Sequence, residues 1–251
     1  RERPLQEAEQ AIKQALQIDA DSAAAHYKLA DVYHAQGRIG DAIAETRRVL
    51  TLEPGNVRAQ SALLMCMEHL PEFSADHLFT ATREWAAGYA HLSEPPRVFP
   101  NERSPQRRLR VGYVSADLHE HPVGFYLERL LAHRDGAAYE IYCYCNSTVV
   151  DALTRRLQDY ADCWRVIADH GDEDVDRLIR EDGIDILVDL SGHGAENRLP
   201  IFARRPAPVQ ATWMGYFDTT GLPAVDYILA DRFVIPEGRE QYYVEEVARL
   251  P

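Results

Sequence analysis

The chain has 251 residues, 46% of them hydrophobic, which suits two domains or one large one with a real core. Forty acidic residues against 27 basic ones give a net charge of −13, which argues against general nucleic-acid or anionic-membrane binding. No apolar run approaches the ~18 residues of a membrane span, no charged-then-apolar leader opens the chain, and four cysteines are too sparse for a disulfide framework, so a soluble, cytoplasmic protein is expected.

The first ninety residues read as helices, and they repeat. In 23-AAAHYKLADVYHAQGRIGDAIAETRRVLTLEP-54 one helix carries Tyr27, Leu29, Ala30 and Tyr33. Gly37 permits a tight turn. A second helix carries Ala42, Ile43, Val49 and Leu50, and Pro54 stops it. The pattern resembles the tetratricopeptide repeat, a helix pair with a period of about 34 residues. Counting back by that period takes Ala42 to Ala8 and Leu50 to Leu16, and counting forward takes Leu29 to Leu63 and Tyr33 to Met67. Pro71 falls where the next turn should be, and the match fades there. Such a pair cannot bury its apolar face alone, so it must stack on repeats preceding Arg1 or on the rest of the chain. Residues 74–91 read as a further amphipathic helix with Leu78, Phe79, Trp85 and Tyr89. Four prolines between Ser93 and Pro105 exclude a helix or a central strand. The expected division is a helical domain over 1–92, a Pro-rich linker over 93–108 and a second domain over 109–251. The basic run from Arg97 to Arg110 reads as a solvated part of that linker.

From Leu109 the period changes. Strands are expected over 109–115, 139–146, 164–168, 184–190, 208–214 and 226–230, with helices near 122–133, 151–161, 173–181 and 196–204. Asp172, Glu173 and Asp174 suit the first turn of the third helix, where the dipole favours negative charge. Strand–helix alternation of this kind predicts a parallel, doubly wound α/β sheet. Cys143 and Cys145 alternate at strand period, so both face one side as buried thiols rather than as a metal pair.

Ligands of open parallel sheets bind outside the carboxyl ends of the strands, so the strand-to-helix loops carry the chemistry. Three are polar: Ser115–Pro122, Asp189–Ala195 and Gly215–Gly221. They bring His121, His193 and the turn Thr219-Thr220-Gly221 toward one edge. Pro122 suits a first helical position, which puts His121 at the helix N-cap, where the dipole disfavours imidazolium. A neutral imidazole there can accept a hydrogen bond or a proton, although simple helix capping explains the residue equally well. For His193, between Gly192 and Gly194, the plain alternative is an exposed loop histidine. The turn after the first strand, Ser115-Ala116-Asp117, lacks the dinucleotide fingerprint, and no G-x-S-x-G elbow occurs. His119 and His121 have the wrong spacing for a helical metalloprotease pair, and no metal site is expected.

Three stretches carry a more specific resemblance: LRVGYVSADLHEHPVGFYL, DGIDILVDLSGHGAENRLPIFARRPAPVQATWMGYFDTTGLPAVDYILAD and EQYYVEEVARLP. With the repeats before them, they resemble the O-linked N-acetylglucosamine transferase family, which includes the plant SPINDLY proteins, in its bacterial form. The resemblance implies a glycosyltransferase of the GT-B type, whose first Rossmann-like lobe would be residues 109–251. It implies inverting transfer of N-acetylglucosamine from UDP-N-acetylglucosamine to Ser or Thr hydroxyls of proteins, with no metal and no cofactor. It makes His121 the candidate catalytic base, and Pro122, His193, Tyr216, Thr219, Thr220 and Gly221 candidate substrate-binding residues. Its implied partners are the nucleotide sugar, a protein acceptor held by repeats and cleft, and a second lobe expected beyond Pro251, without which residues 1–251 would not turn over. A GDP-fucose donor, as in SPINDLY-type members, and a non-catalytic repeat scaffold are the alternatives.

Overall fold

Ser22 and Asn56 stand one repeat period apart, and each caps a helix by accepting a backbone N–H three residues on. The repeat read from the sequence is therefore present as a repeat of helix starts. This is seen in a computed structural model, which describes residues 2–92, 98–104 and 106–251. The helices are α1 (Glu2–Ile18), α2 (Ala23–Ala35), α3 (Ile39–Leu52), α4 (Val57–Met67) and α5 (Ala75–Ala87). Leu29, Tyr33, Ala42, Ile43, Cys66 and Met67 form their common core, with Ile12, Leu16, Leu63 and Leu78 packed against it. After α4 the short turn of the previous pair is replaced by a longer irregular segment containing Pro71, and α5 starts late.

The chain divides into two compact units, 1–81 and 82–251. The end of α5 thus groups with the second unit, where Trp85 and Tyr89 pack. Of the expected linker, residues 93–97 and 105 lie outside the described residues. Much of the rest is exposed, Val98 almost fully, but its polar side chains nearest β1 are anchored rather than free. Arg107 grips the Asp185 carboxylate with two guanidinium N–H groups at 2.5 and 2.6 Å, and Asn101 bonds the same carboxylate at 2.7 Å. Arg108 pairs with Asp162 and Arg110 with Glu140. These three arginines are matched by acids at the amino ends of the strands.

The second unit is a seven-stranded sheet, parallel throughout, in the order β3-β2-β1-β4-β5-β6-β7. Its strands are β1 (Leu109–Ser115), β2 (Tyr139–Cys145), β3 (Cys163–Val166), β4 (Ile186–Asp189), β5 (Val209–Trp213), β6 (Tyr227–Ala230) and β7 (Glu246–Arg249). Helices α6 (Pro122–Ala132), α7 (Ala152–Tyr160), α8 (Asp172–Glu181) and α9 (Leu199–Ala203) connect β1 through β5. Val111, Tyr113, Cys143, Cys145, Val188 and Leu190 pack with Leu127, Leu131, Leu153 and Leu157 in one core. The last five residues of β1 and of β2 are buried in sequence, as a sheet covered on both faces requires.

Two elements differ from the sequence pattern. The pattern predicts the last helix from residue 196, but Glu196 has φ 54, a left-handed conformation that no helix can include, so α9 starts at Leu199. Strand β7 has no counterpart among the predicted strands. It is a half-exposed edge strand of four residues, too short to show a period. Among the described residues no helix is long and apolar enough to cross a membrane.

Candidate functional site

The strand order runs outward from β1 in one direction and from β4 in the other, so the topological switch point lies between these two neighbours. His121 follows β1 and His193 follows β4. The fold therefore sets both histidine-bearing loops beside the crevice where sheets of this kind take ligands.

The first loop is held firmly. Leu118 is fully buried, and its carbonyl accepts the Thr154 hydroxyl of α7 at 3.0 Å. Asp151, the N-cap of α7, accepts the Glu120 amide at 2.6 Å. A Cβ at Gly124 would lie 2.3 Å from the His119 carbonyl oxygen, so only glycine lets the first turn of α6 close onto the loop. His121 is the N-cap residue of α6 with Pro122 at the first helical position, as the sequence predicts. The Val123 amide donates to its Nδ1 at 3.4 Å. Its side chain is 41% exposed, and Asp117 Oδ2 lies 3.8 Å from the same nitrogen.

The second loop is quite different. His193 is 1% exposed, so it is not the exposed loop histidine that its glycine neighbours allow. Its ring meets Trp85 edge-on at 4.5 Å and Tyr216 at 5.4 Å. Its Nε2 donates to the Thr220 carbonyl at 3.1 Å. Burial lowers its pKa to about 4, so the ring is neutral at physiological pH.

The third loop joins the second. Met214 turns the chain with φ 65, a strained conformation for a residue with a Cβ. A Cβ at Gly215 would come within 1.8 Å of the Leu190 carbonyl oxygen, so the loop after β5 presses directly on the backbone after β4. Thr219 and Thr220 are fully buried. Thr219 donates its hydroxyl to Glu245 at 2.6 Å, and Thr220 donates both its hydroxyl and its amide to the same carboxylate. Burial pushes the Glu245 carboxyl upward, against the pull of those donors. Asp189, also buried, gathers the amides of Ser191 and Gly192 and the Thr212 hydroxyl.

The structure therefore brings His193, Tyr216, Thr219, Thr220 and Gly221 into one buried assembly. His121 and Pro122 stand on the neighbouring strand end, where the His121 ring is accessible. What faces solvent near the third loop is Phe217, 58% exposed. A groove of about 360 Å³ runs there, lined by Tyr126 of α6 with Trp213, Met214, Tyr216, Phe217 and Ile228. Sequence reasoning does not find Trp85, Met214 and Glu245 as parts of this site, and it places Asp189 only at the head of a polar loop. A glutamate set among apolar residues in Tyr243-Val244-Glu245-Glu246-Val247 is the one signal available, and it is weak.

A parallel sheet with polar loops crowded at its switch point, preceded by stacked helix pairs, defines a repeat-bearing, doubly wound α/β protein with a ligand crevice at the carboxyl ends of its strands. Residues 89–251 match the profile of glycosyl transferase family 41, and residues 2–67 match a tetratricopeptide repeat. The chain belongs to glycosyl transferase family 41. A Petunia hybrida protein named probable UDP-N-acetylglucosamine–peptide N-acetylglucosaminyltransferase SPINDLY is 38% identical over 206 residues, 80% of this chain and 22% of that protein. The similarly named SEC protein of Arabidopsis thaliana is 33% identical over 146 residues, 58% of this chain and 15% of that one. A solved structure of a lysine-to-methionine mutant of the Thermobaculum terrenum O-GlcNAc transferase superposes with a TM-score of 0.92 at 40% identity. That match covers 97% of this chain and 47% of the other. The chain thus spans about a fifth of the plant relatives and about half of the bacterial one.

Proposed function

We propose that this chain supplies the acceptor side of a protein O-glycosyltransferase that moves N-acetylglucosamine from UDP-N-acetylglucosamine to Ser or Thr hydroxyls. The observation that carries this reading is the match to an O-GlcNAc transferase over 97% of the chain. The switch-point crevice supports it, because it presents an accessible histidine at the carboxyl end of β1. In this reading His121 takes the proton of the acceptor hydroxyl as its O–H bond breaks. The oxygen forms a bond to the sugar C1 from the face opposite the diphosphate. The C1–oxygen bond to the diphosphate breaks, and its electron pair leaves with UDP. Pro122 serves by fixing the start of α6. His193, Thr219, Thr220 and Gly221 act through the shape of the loop that presents Tyr216 and Phe217. The helical repeats hold the protein acceptor, and the free thiols fit a cytoplasmic setting.

The test is transfer by the full-length protein, offered UDP-N-acetylglucosamine or GDP-fucose with protein acceptors, read by mass spectrometry of acceptor peptides. N-acetylglucosamine on Ser or Thr supports the reading. Fucose alone overturns the donor, and no transfer from either turns the chain into a repeat scaffold. His121→Ala should lower kcat about 10²- to 10⁴-fold while leaving the melting temperature within a few degrees.

A further inference from the structure

Asp117 stands between two imidazoles. Its Oδ1 lies 3.8 Å from His119 Nε2, and its Oδ2 lies 3.8 Å from His121 Nδ1. The Val123 amide addresses that same Nδ1, at 3.4 Å. The two partners demand opposite states of one atom. An amide N–H needs a lone pair on Nδ1, which leaves the neutral ring's hydrogen on Nε2. A carboxylate needs a hydrogen on Nδ1, which leaves the lone pair on Nε2. Only the second state lets Nε2 accept a proton from a hydroxyl. Neither contact is closed: the amide contact is long for a hydrogen bond, and the carboxylate lies beyond the range of one.

The surroundings favour movement of side chains rather than of backbone. Leu118 and Glu120 are tied to α7, and the Asp117 amide donates to the Ser115 hydroxyl at 2.9 Å. Asp117 itself is 28% exposed, with room to turn. A shift of about 1 Å would bring Oδ2 to hydrogen-bond distance of Nδ1.

We propose that Asp117 is the positioning residue for His121: it draws the Nδ1 hydrogen to itself, releases the ring from its capping contact with Val123, and leaves Nε2 free to take the acceptor's proton. When the proton arrives at Nε2, the imidazolium keeps its Nδ1–H on the Asp117 carboxylate. The inference rests on the reading of His121 as the base.

The test compares Asp117→Ala, Asp117→Glu, His121→Ala and the Asp117→Ala/His121→Ala double variant in the full-length protein. For Asp117→Ala, kcat should fall about 10- to 100-fold with the donor KM unchanged. Asp117→Glu should recover part of the loss, and on the His121→Ala background the change should cost nothing further. A loss of equal size without His121, or a raised KM at unchanged kcat, overturns the inference. The tautomer of His121, read by nitrogen-15 NMR of histidine-labelled protein, needs no turnover. Its Nε2–H fraction should rise in Asp117→Ala, and an unchanged tautomer overturns the inference. If the parent protein transfers no sugar, the functional reading fails, while the tautomer measurement still decides whether Asp117 governs the ring.

Discussion

His121 and His193 follow neighbouring strands of one sheet, and their surroundings are opposites. His121 is held by one long capping contact and keeps an accessible ring. His193 is sealed between Trp85 and Tyr216, with its Nε2 hydrogen fixed on a carbonyl. The first can change partner without disturbing the core; the second cannot without unpacking the elements around it. Residue type and position after a strand are the same in both cases. What separates an accessible histidine from a sealed one is the set of groups that the rest of the chain brings to it.

The contrast is broken most severely at Gly215. Gly215→Ala drives a methyl into the Leu190 carbonyl, against rigid backbone, and should cost about 4 kcal/mol or more. A cooperative thermal transition close to the parent's would refute the close approach of the two loops. Next comes Glu245→Leu, which leaves two buried hydroxyls and an amide without their acceptor and should cost about 3 kcal/mol in denaturant unfolding. The same substitution at the exposed neighbour Glu246 should do little.

The mildest effect near neutral pH is titration of His193. Its folded pKa is about 4, below the unfolded value near 6.5. Between those values the unfolded state binds the extra proton, so stability falls as pH drops through the window, by about 3 kcal/mol at its acid end. Glu245 and Asp189 work the other way. Their folded pKa values are raised, so they contribute less as pH rises from their unfolded values through the folded ones. His193→Gln keeps a donor for the Thr220 carbonyl and removes only the histidine slope. Parent and variant stabilities, measured from pH 7 to pH 4, should therefore converge as pH falls. Parallel curves would mean that the ring is not sealed.

Much of this is legible in the sequence because it is local. The repeat period appears in the spacing of Leu29 to Leu63 and Leu16 to Leu50, and the Pro122 signal places His121 at a helix start. The strand–helix alternation predicts the parallel sheet. What stays hidden is non-local. Glu245 is a carboxylate like any surface glutamate until the fold sets it against Thr219 and Thr220, in a loop two strands earlier. The arginines before β1 read as a solvated run because their acids, Asp162 and Asp185, come much later in the chain. His193 reads as an exposed residue between two glycines because its cover, Trp85, comes from a helix far upstream.

Asp151 divides its carboxylate between two duties. One oxygen caps its own helix through the Thr154 amide, and the other holds the Glu120 amide in the loop before His121. The loop and the first turn of α7 consequently share a single opening event. Their amides should exchange with solvent at one common free energy, and the segment that carries His121 loosens only when a neighbouring helix frays with it.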